Sequence, residues 1–129
     1  MRSDILKDEF EKFETGKEYV FTIAQIGDKV ATNKSHYRQW VFQAFVDGNV
    51  ESINMNIFPW QAIPIVETLG YKKENGEIKI DYDKIEGRKI LATVIYETYL
   101  RKDGGQGKSP KLMAFMPCNQ DVAENEIPF

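Results

Sequence analysis

The chain of 129 residues contains one cysteine and one histidine. A single cysteine, Cys118, excludes an intrachain disulfide, and Cys118 with His36 cannot assemble a zinc site of the Cys/His type within the chain. The same scarcity removes most familiar covalent catalysis. A Ser-His-Asp arrangement would have to use His36, which lies in the polar run Thr32-Asn33-Lys34-Ser35-His36 and reads as a solvated loop residue. Long hydrophobic runs are also missing. No stretch approaches the ~18 to 20 apolar residues of a membrane span, and Met1-Arg2-Ser3-Asp4 runs into charge rather than an apolar signal core. The sequence therefore predicts a cytoplasmic protein that does not enter a membrane.

Nor is there a surplus of basic residues: 17 Lys and Arg stand against 20 Asp and Glu, a net charge of -3. The distribution matters more than the total. Residues 1–18 carry four basic and six acidic groups, and 118–129 carry Asp121, Glu124 and Glu126 with no basic group. What remains, 19–117, holds 13 basic and 11 acidic residues and is weakly positive. Hydrophobic residues make up 42% of the chain and aromatic residues 12%, enough for one packed core, and the length leaves no room for a second.

Along the chain, Ile5, Leu6, Phe10 and Phe13 recur at helical spacing among charges, so 1–15 fits either a short amphipathic helix or a frayed arm. Lys17 to Ile26 is β-branched and aromatic and reads as a first strand. Tyr37–Val46 and Val50–Phe58 flank Asp47-Gly48-Asn49, a strong hairpin signal because Asp-Gly readily supplies the positive φ angles of a type I′ turn. A two-residue loop at Asp47-Gly48 sets Trp40 opposite Met55 and Phe42 opposite Ile53 on one face, and Gln39 opposite Asn56, Val41 opposite Asn54 and Gln43 opposite Ser52 on the other. A three-residue loop would mix apolar with polar side chains, so the first register is expected. Ala62–Leu69 predicts a short helix that tolerates Pro64 only near its first turn and stops at Gly70. Tyr71–Asp83 reads as a polar connector with a small hairpin at Glu74-Asn75-Gly76. Lys89–Leu100 predicts another strand, Lys102–Pro110 a Gly-rich loop, and Lys111–Met116 a last strand. The fold expected is mainly β: a five-stranded OB-type barrel over 16–117 with one short helix between the third and fourth strands.

Gly107-Lys108-Ser109 looks like the end of a phosphate-binding P-loop, but position 102 is Lys102 where that pattern needs glycine. Pro110 and a β-type run then replace the helix whose N-terminus would hold the phosphate. No enzymatic activity and no cofactor are expected. Tyr37, Gln39, Gln43, Ser52, Asn54, Asn56 and Phe58 share the polar face of the hairpin, with Trp60 beside it. Rings stack on any base and amides bond to base edges without repelling phosphate, so this set suits single-stranded DNA; an ordinary solvated sheet face alternates in the same way. Arg101, Lys102, Lys108 and Lys111 with Tyr96 and Tyr99 upstream, and Lys34 before the second strand, offer backbone tracking with interleaved stacking. A hairpin decorated with lysine for solubility gives the same composition.

The segment 118–129 is acidic and ends Ile127-Pro128-Phe129. This end resembles the C-terminal tip of bacterial and phage single-stranded-DNA-binding proteins, which finishes in acidic residues followed by Ile-Pro-Phe. The strand order and the Asp47-Gly48 hairpin of 16–117 resemble phage-encoded members of the group more weakly. The acidic stretch here is shorter, interrupted by Asn125, and follows no Gly/Pro/Gln-rich linker. The resemblance implies a flexible tail in which Glu124, Glu126, Ile127, Pro128 and Phe129 recruit replication or recombination proteins. The terminal Phe and its carboxylate would dock in an apolar pocket rimmed by basic residues. Two rival readings stay open: a small phage adaptor that mimics the tail without binding DNA, and an RNA-binding OB module. Edge pairing of a small barrel also leaves a homodimer open.

Overall fold

The computed structural model describes residues 12–118; the expectations for the opening residues up to 11 and for the tail from 119 onward lie outside the described residues. The elements are β1 (Lys17–Ile26), β2 (Val30–Ala31), β3 (His36–Val46), β4 (Asn49–Ile57), α1 (Pro59–Thr68), α2 (Tyr82–Ile85), β5 (Lys89–Leu100) and β6 (Gln106–Pro117). The architecture is mainly β, an open antiparallel sheet in the order β4-β3-β1-β5-β6, with β2 pairing Tyr37 and His36 at the start of β3. β4 touches β6, and α1 packs against β6. Among the described residues no hydrogen-bonded register joins β4 to β6. No helix among the described residues is long and apolar enough to cross a membrane.

The β3–β4 hairpin has the expected register, with Trp40 opposite Met55, Phe42 opposite Ile53, Gln39 opposite Asn56 and Val41 opposite Asn54. Asp47 and Gly48 both take positive φ, 52° and 83°, which gives the turn a twist matching that of the strands. Trp40, Phe42 and Ile53 are buried with Phe21 and Ile23 of β1, Ile65 and Val66 of α1, and Ile90 and Val94 of β5. The Trp40 and Phe42 rings stack at 6.0 Å. Each large apolar side chain fully buried here contributes roughly 1.5–3 kcal/mol.

The helix begins at Pro59, not at Ala62. Pro59 occupies the first helical position, where its missing N–H costs nothing, and the Gln61 Oε1 accepts the Phe58 backbone N–H at 2.9 Å. Pro64 consequently lies inside the helix rather than near its first turn, and the carbonyl of Trp60 loses its helical donor there. The last strand also starts earlier than expected, at Gln106 instead of Lys111, so the Gly-rich loop shrinks to 101–105. Gly107 permits this pairing because a Cβ there would strike the Tyr99 ring opposite. Pro110 is tolerated because β6 ends the sheet order and needs fewer ladder donors. His36, expected in a loop, is the first residue of β3, half-buried and paired with Ala31. The four-residue α2 was not foreseen; the Asp81 carboxylate caps it by accepting the Asp83 N–H at 3.0 Å. The Glu74-Asn75-Gly76 hairpin forms, with a Glu74–Glu77 bridge and positive φ at Asn75 and Gly76.

The β5–β6 register shifts between Leu91 and Thr93, where Ala114 takes φ 53°. A left-handed conformation costs an L-residue about 1–2 kcal/mol and glycine almost nothing. Ala114→Gly is expected to stabilise the fold by up to about 1 kcal/mol, read as a higher urea midpoint. A lower midpoint would place Ala114 in ordinary strand geometry.

Candidate nucleic-acid interface

Strict alternation along the β3–β4 ribbon turns Tyr37, Gln39, Val41, Gln43 and Phe45 outward, opposite Phe58, Asn56, Asn54, Ser52 and Val50. None of these outward positions carries a charge, so a phosphate backbone crossing the ribbon meets no carboxylate. Gln39, Asn54 and Asn56 are exposed, and the Gln43 amide donates to the Ser52 hydroxyl at 3.3 Å.

One end of the ribbon carries a row of three rings. Tyr37 lies 5.6 Å from Phe58, and Phe58 stacks on Trp60 at 4.7 Å with only 12° between the planes. The row exists because Phe58 sits at the junction of β4 and α1: the capping by Gln61 and the fixed φ of Pro59 bring Trp60 back over its neighbour. Trp60 is 61% exposed, whereas Trp40 is 1% exposed and belongs to the core. Tyr37 and Phe58 are half-buried, so Trp60 is the ring most open to a base, and rings held side by side in this way are what successive bases stack on. Lys34 is exposed at the turn closed by Thr32 and Ser35, close in sequence to Tyr37 and at the same end of β3. Arg38, by contrast, points to the other face: its guanidinium donates to the Gly27 carbonyl at 2.9 Å and lies 4.5 Å from the centre of the Tyr82 ring.

The structure separates the remaining candidates from this row. β1 is antiparallel to both β3 and β5, so the β5–β6 tip lies toward the end of the sheet that bears the Asp47-Gly48 turn, opposite the Tyr37 end. Tyr99 is half exposed over Gly107, and Arg101 and Lys102 are exposed at the tip, where the Arg101 N–H donates to the Gly105 carbonyl at 2.7 Å. Lys111 is held by Glu97, Nζ to Oε1 at 3.1 Å. Tyr96 faces the core side, and its hydroxyl accepts the Phe13 N–H at 3.0 Å, which ties the chain before β1 to β5. Lys108 is on that side too, lining a shallow concavity with Tyr96, Phe13 and Lys17. The aromatic row and the basic tip are thus two clusters.

Sequence reading missed Phe45 and Val50 at the other end of the ribbon, 77% and 55% exposed. The alternation that turned Gln39 outward also turned Phe45 outward, and that signal was available. Cys118, grouped with the acidic tail in sequence, is buried. No protein-family model matches the chain and no curated protein matches it, so the functional reading of this face rests on its geometry and chemistry.

Proposed function

We propose that the chain is a non-enzymatic protein that coats single-stranded DNA with little sequence preference, using an OB-type barrel, and recruits replication or recombination proteins through the tip Glu124, Glu126, Ile127, Pro128 and Phe129. The observation that carries the reading is the row of Tyr37, Phe58 and Trp60 rings, the last two stacked, at the end of an uncharged, amide-rich ribbon. Rings supply affinity for any base, and amides supply adaptable hydrogen bonds to base edges. The barrel is supported by the strand order, by α1 between β4 and β5, and by the meeting of β4 with β6. The Phe42 and Phe115 rings, 6.1 Å apart, bridge β3 to β6 across the interior. The tail is supported by its composition and its resemblance to the recruiting tip described above.

Titration with oligo-dT tests the reading. Trp60 is open to solvent and Trp40 is not, so binding is expected to quench the tryptophan fluorescence, and Trp60→Ala is expected to remove the quenching. An RNA strand of the same sequence as competitor reports the choice of sugar. A folded chain that neither quenches nor shifts oligo-dT in a gel would leave the adaptor reading in its place.

Affinity is expected to fall with salt, the logarithmic slope being about 0.7 per phosphate contact on a single strand. Lys34→Ala and Lys102→Ala are each expected to lower that slope by about one contact if the residue meets a phosphate. Lys111→Ala is expected to change it less, because a phosphate must first displace Glu97. Equal slopes for wild type and for both Lys34→Ala and Lys102→Ala would remove these residues from the DNA path.

A further inference from the structure

The outer face of the sheet carries an apolar row that no single strand reveals. Phe45 lies opposite Val50 across the hairpin, Val20 opposite Leu91, and Leu91 opposite Met116. Phe45, Val50 and Val20 line one open concavity of about 590 Å³, which joins the hairpin's end to β1. The result is a stripe that crosses all five long strands, from β4 through β3, β1 and β5 to β6. The bulge at Ala114 extends it: the register shift turns both Met113 and Met116 outward, where unbroken alternation would have sent one of them inward. Met113 and Met116 are 45% and 52% exposed.

A continuous apolar patch on the surface of a small protein marks an interaction site. We infer that this stripe is the interface through which two copies of the chain pack face to face. Two features favour a second copy over another partner. First, the charges beside the stripe are arranged for self-complementarity. On β1 and β5 the pairs follow in order Glu18 with Thr93, Val20 with Leu91, and Thr22 with Lys89. Glu18 therefore flanks the stripe on one side and Lys89 on the other. A two-fold axis running along the stripe, in the plane between the two faces, lays stripe on stripe and exchanges one flank for the other. Each Glu18 then comes opposite Thr22 of the other copy, one strand away from that copy's Lys89, and the relation occurs twice, as an isologous contact requires. Tilting the axis away from the stripe brings Glu18 toward that Lys89 and crosses the strands of the two sheets, as stacked twisted sheets do.

Second, the size suits a dimer. Covering the stripe and its flanks on both copies removes surface on the order of 1,000 Å², which is where specific interfaces begin. Phe45 stands proud of the face and is the anchor, since an aromatic side chain inserted at an interface carries a large share of its binding energy. The stripe is separated from Tyr37 by about 27 Å of strand at 3.4 Å per residue, so a dimer formed here leaves the Phe58 and Trp60 rings uncovered.

Sedimentation of the full chain across a wide range of concentration tests the inference. The wild-type chain is expected to reach the mass of two copies. Phe45→Glu is expected to raise the dimer dissociation constant at least about tenfold while circular dichroism stays unchanged, because the residue is exposed and no core contact is lost. Glu18→Lys is expected to weaken the dimer, and the double change Glu18→Lys with Lys89→Glu to restore it, a pattern that follows only from the two residues meeting across the interface. A wild-type chain that stays monomeric at every concentration overturns the proposal, as does a dimer that neither Phe45→Glu nor Glu18→Lys weakens. A monomer that dimerises only when 1–11 or 119–129 is removed also overturns it, because the stripe would then be covered by the chain itself.

Discussion

Trp60→Ala and Phe58→Ala are each expected to weaken oligo-dT binding by about 1–3 kcal/mol, roughly 5- to 150-fold in dissociation constant. The effect on folding should be much smaller for Trp60. Its side chain touches Phe58 on one face and solvent on the other, so its removal leaves no cavity, and a surface ring pair is worth about 0.5–1.5 kcal/mol. Binding and stability therefore separate at this residue, which they would not at Trp40, buried in the core, where truncation would cost about 3–5 kcal/mol of folding free energy. The double variant should lose less than the sum of the single ones, because each ring also positions the other. Fluorescence anisotropy of a labelled oligo-dT strand, with urea denaturation of each variant as the control, measures both quantities. Unchanged affinity in a variant that folds normally would make the row a solvated face and return the function to the tail alone.

Phe129→Ala is expected to abolish most capture of replication or recombination proteins from a bacterial extract while leaving oligo-dT affinity in place. On the proposed reading Phe129 fills an apolar, basic-rimmed pocket of the partner, and emptying that pocket removes the anchor of a short linear contact. On the same reading Glu124 and Glu126 are expected to steer the encounter and to contribute mainly to its rate and salt dependence. Deleting 124–129 should remove capture completely and hold or raise DNA affinity, because two carboxylates that compete with phosphate are lost with it. The two variants and the intact chain, compared in parallel pull-downs, decide the matter. If all three retain the same proteins, the tip is not a recruiting element. If the deletion abolishes DNA binding, the tail belongs to the DNA site instead.

The chain's local patterns were legible wherever chemistry within a few residues decides the outcome. Asp47-Gly48 fixed a two-residue turn, and the alternation of Trp40 and Phe42 with Gln39, Val41 and Gln43 then allowed one register and one buried face. The strands Lys17–Ile26 and Lys89–Leu100 were equally plain from their β-branched and aromatic content. The helix start was legible as well, in Pro59 and Gln61, but the interior Pro64 outweighed those signals in the reading. Alternation also contained the answer for Tyr96 and Tyr99: residues three apart on a strand face opposite sides, which is why one bonds Phe13 and the other stands over Gly107.

What only the tertiary structure decided are the relations between residues that no local rule connects. Lys111 meets Glu97 because the β5–β6 register brings them together, and that register depends on where the turn closes and on the shift at Ala114. Trp60 covers Phe58 because a strand ends and a helix begins at a particular angle between them. The apolar stripe draws one residue from nearly every strand, each unremarkable in its own segment, and only the order β4-β3-β1-β5-β6 aligns them. Local propensity and alternation set which face a side chain takes; strand order and register, fixed by packing of the whole core, set which side chains it meets there.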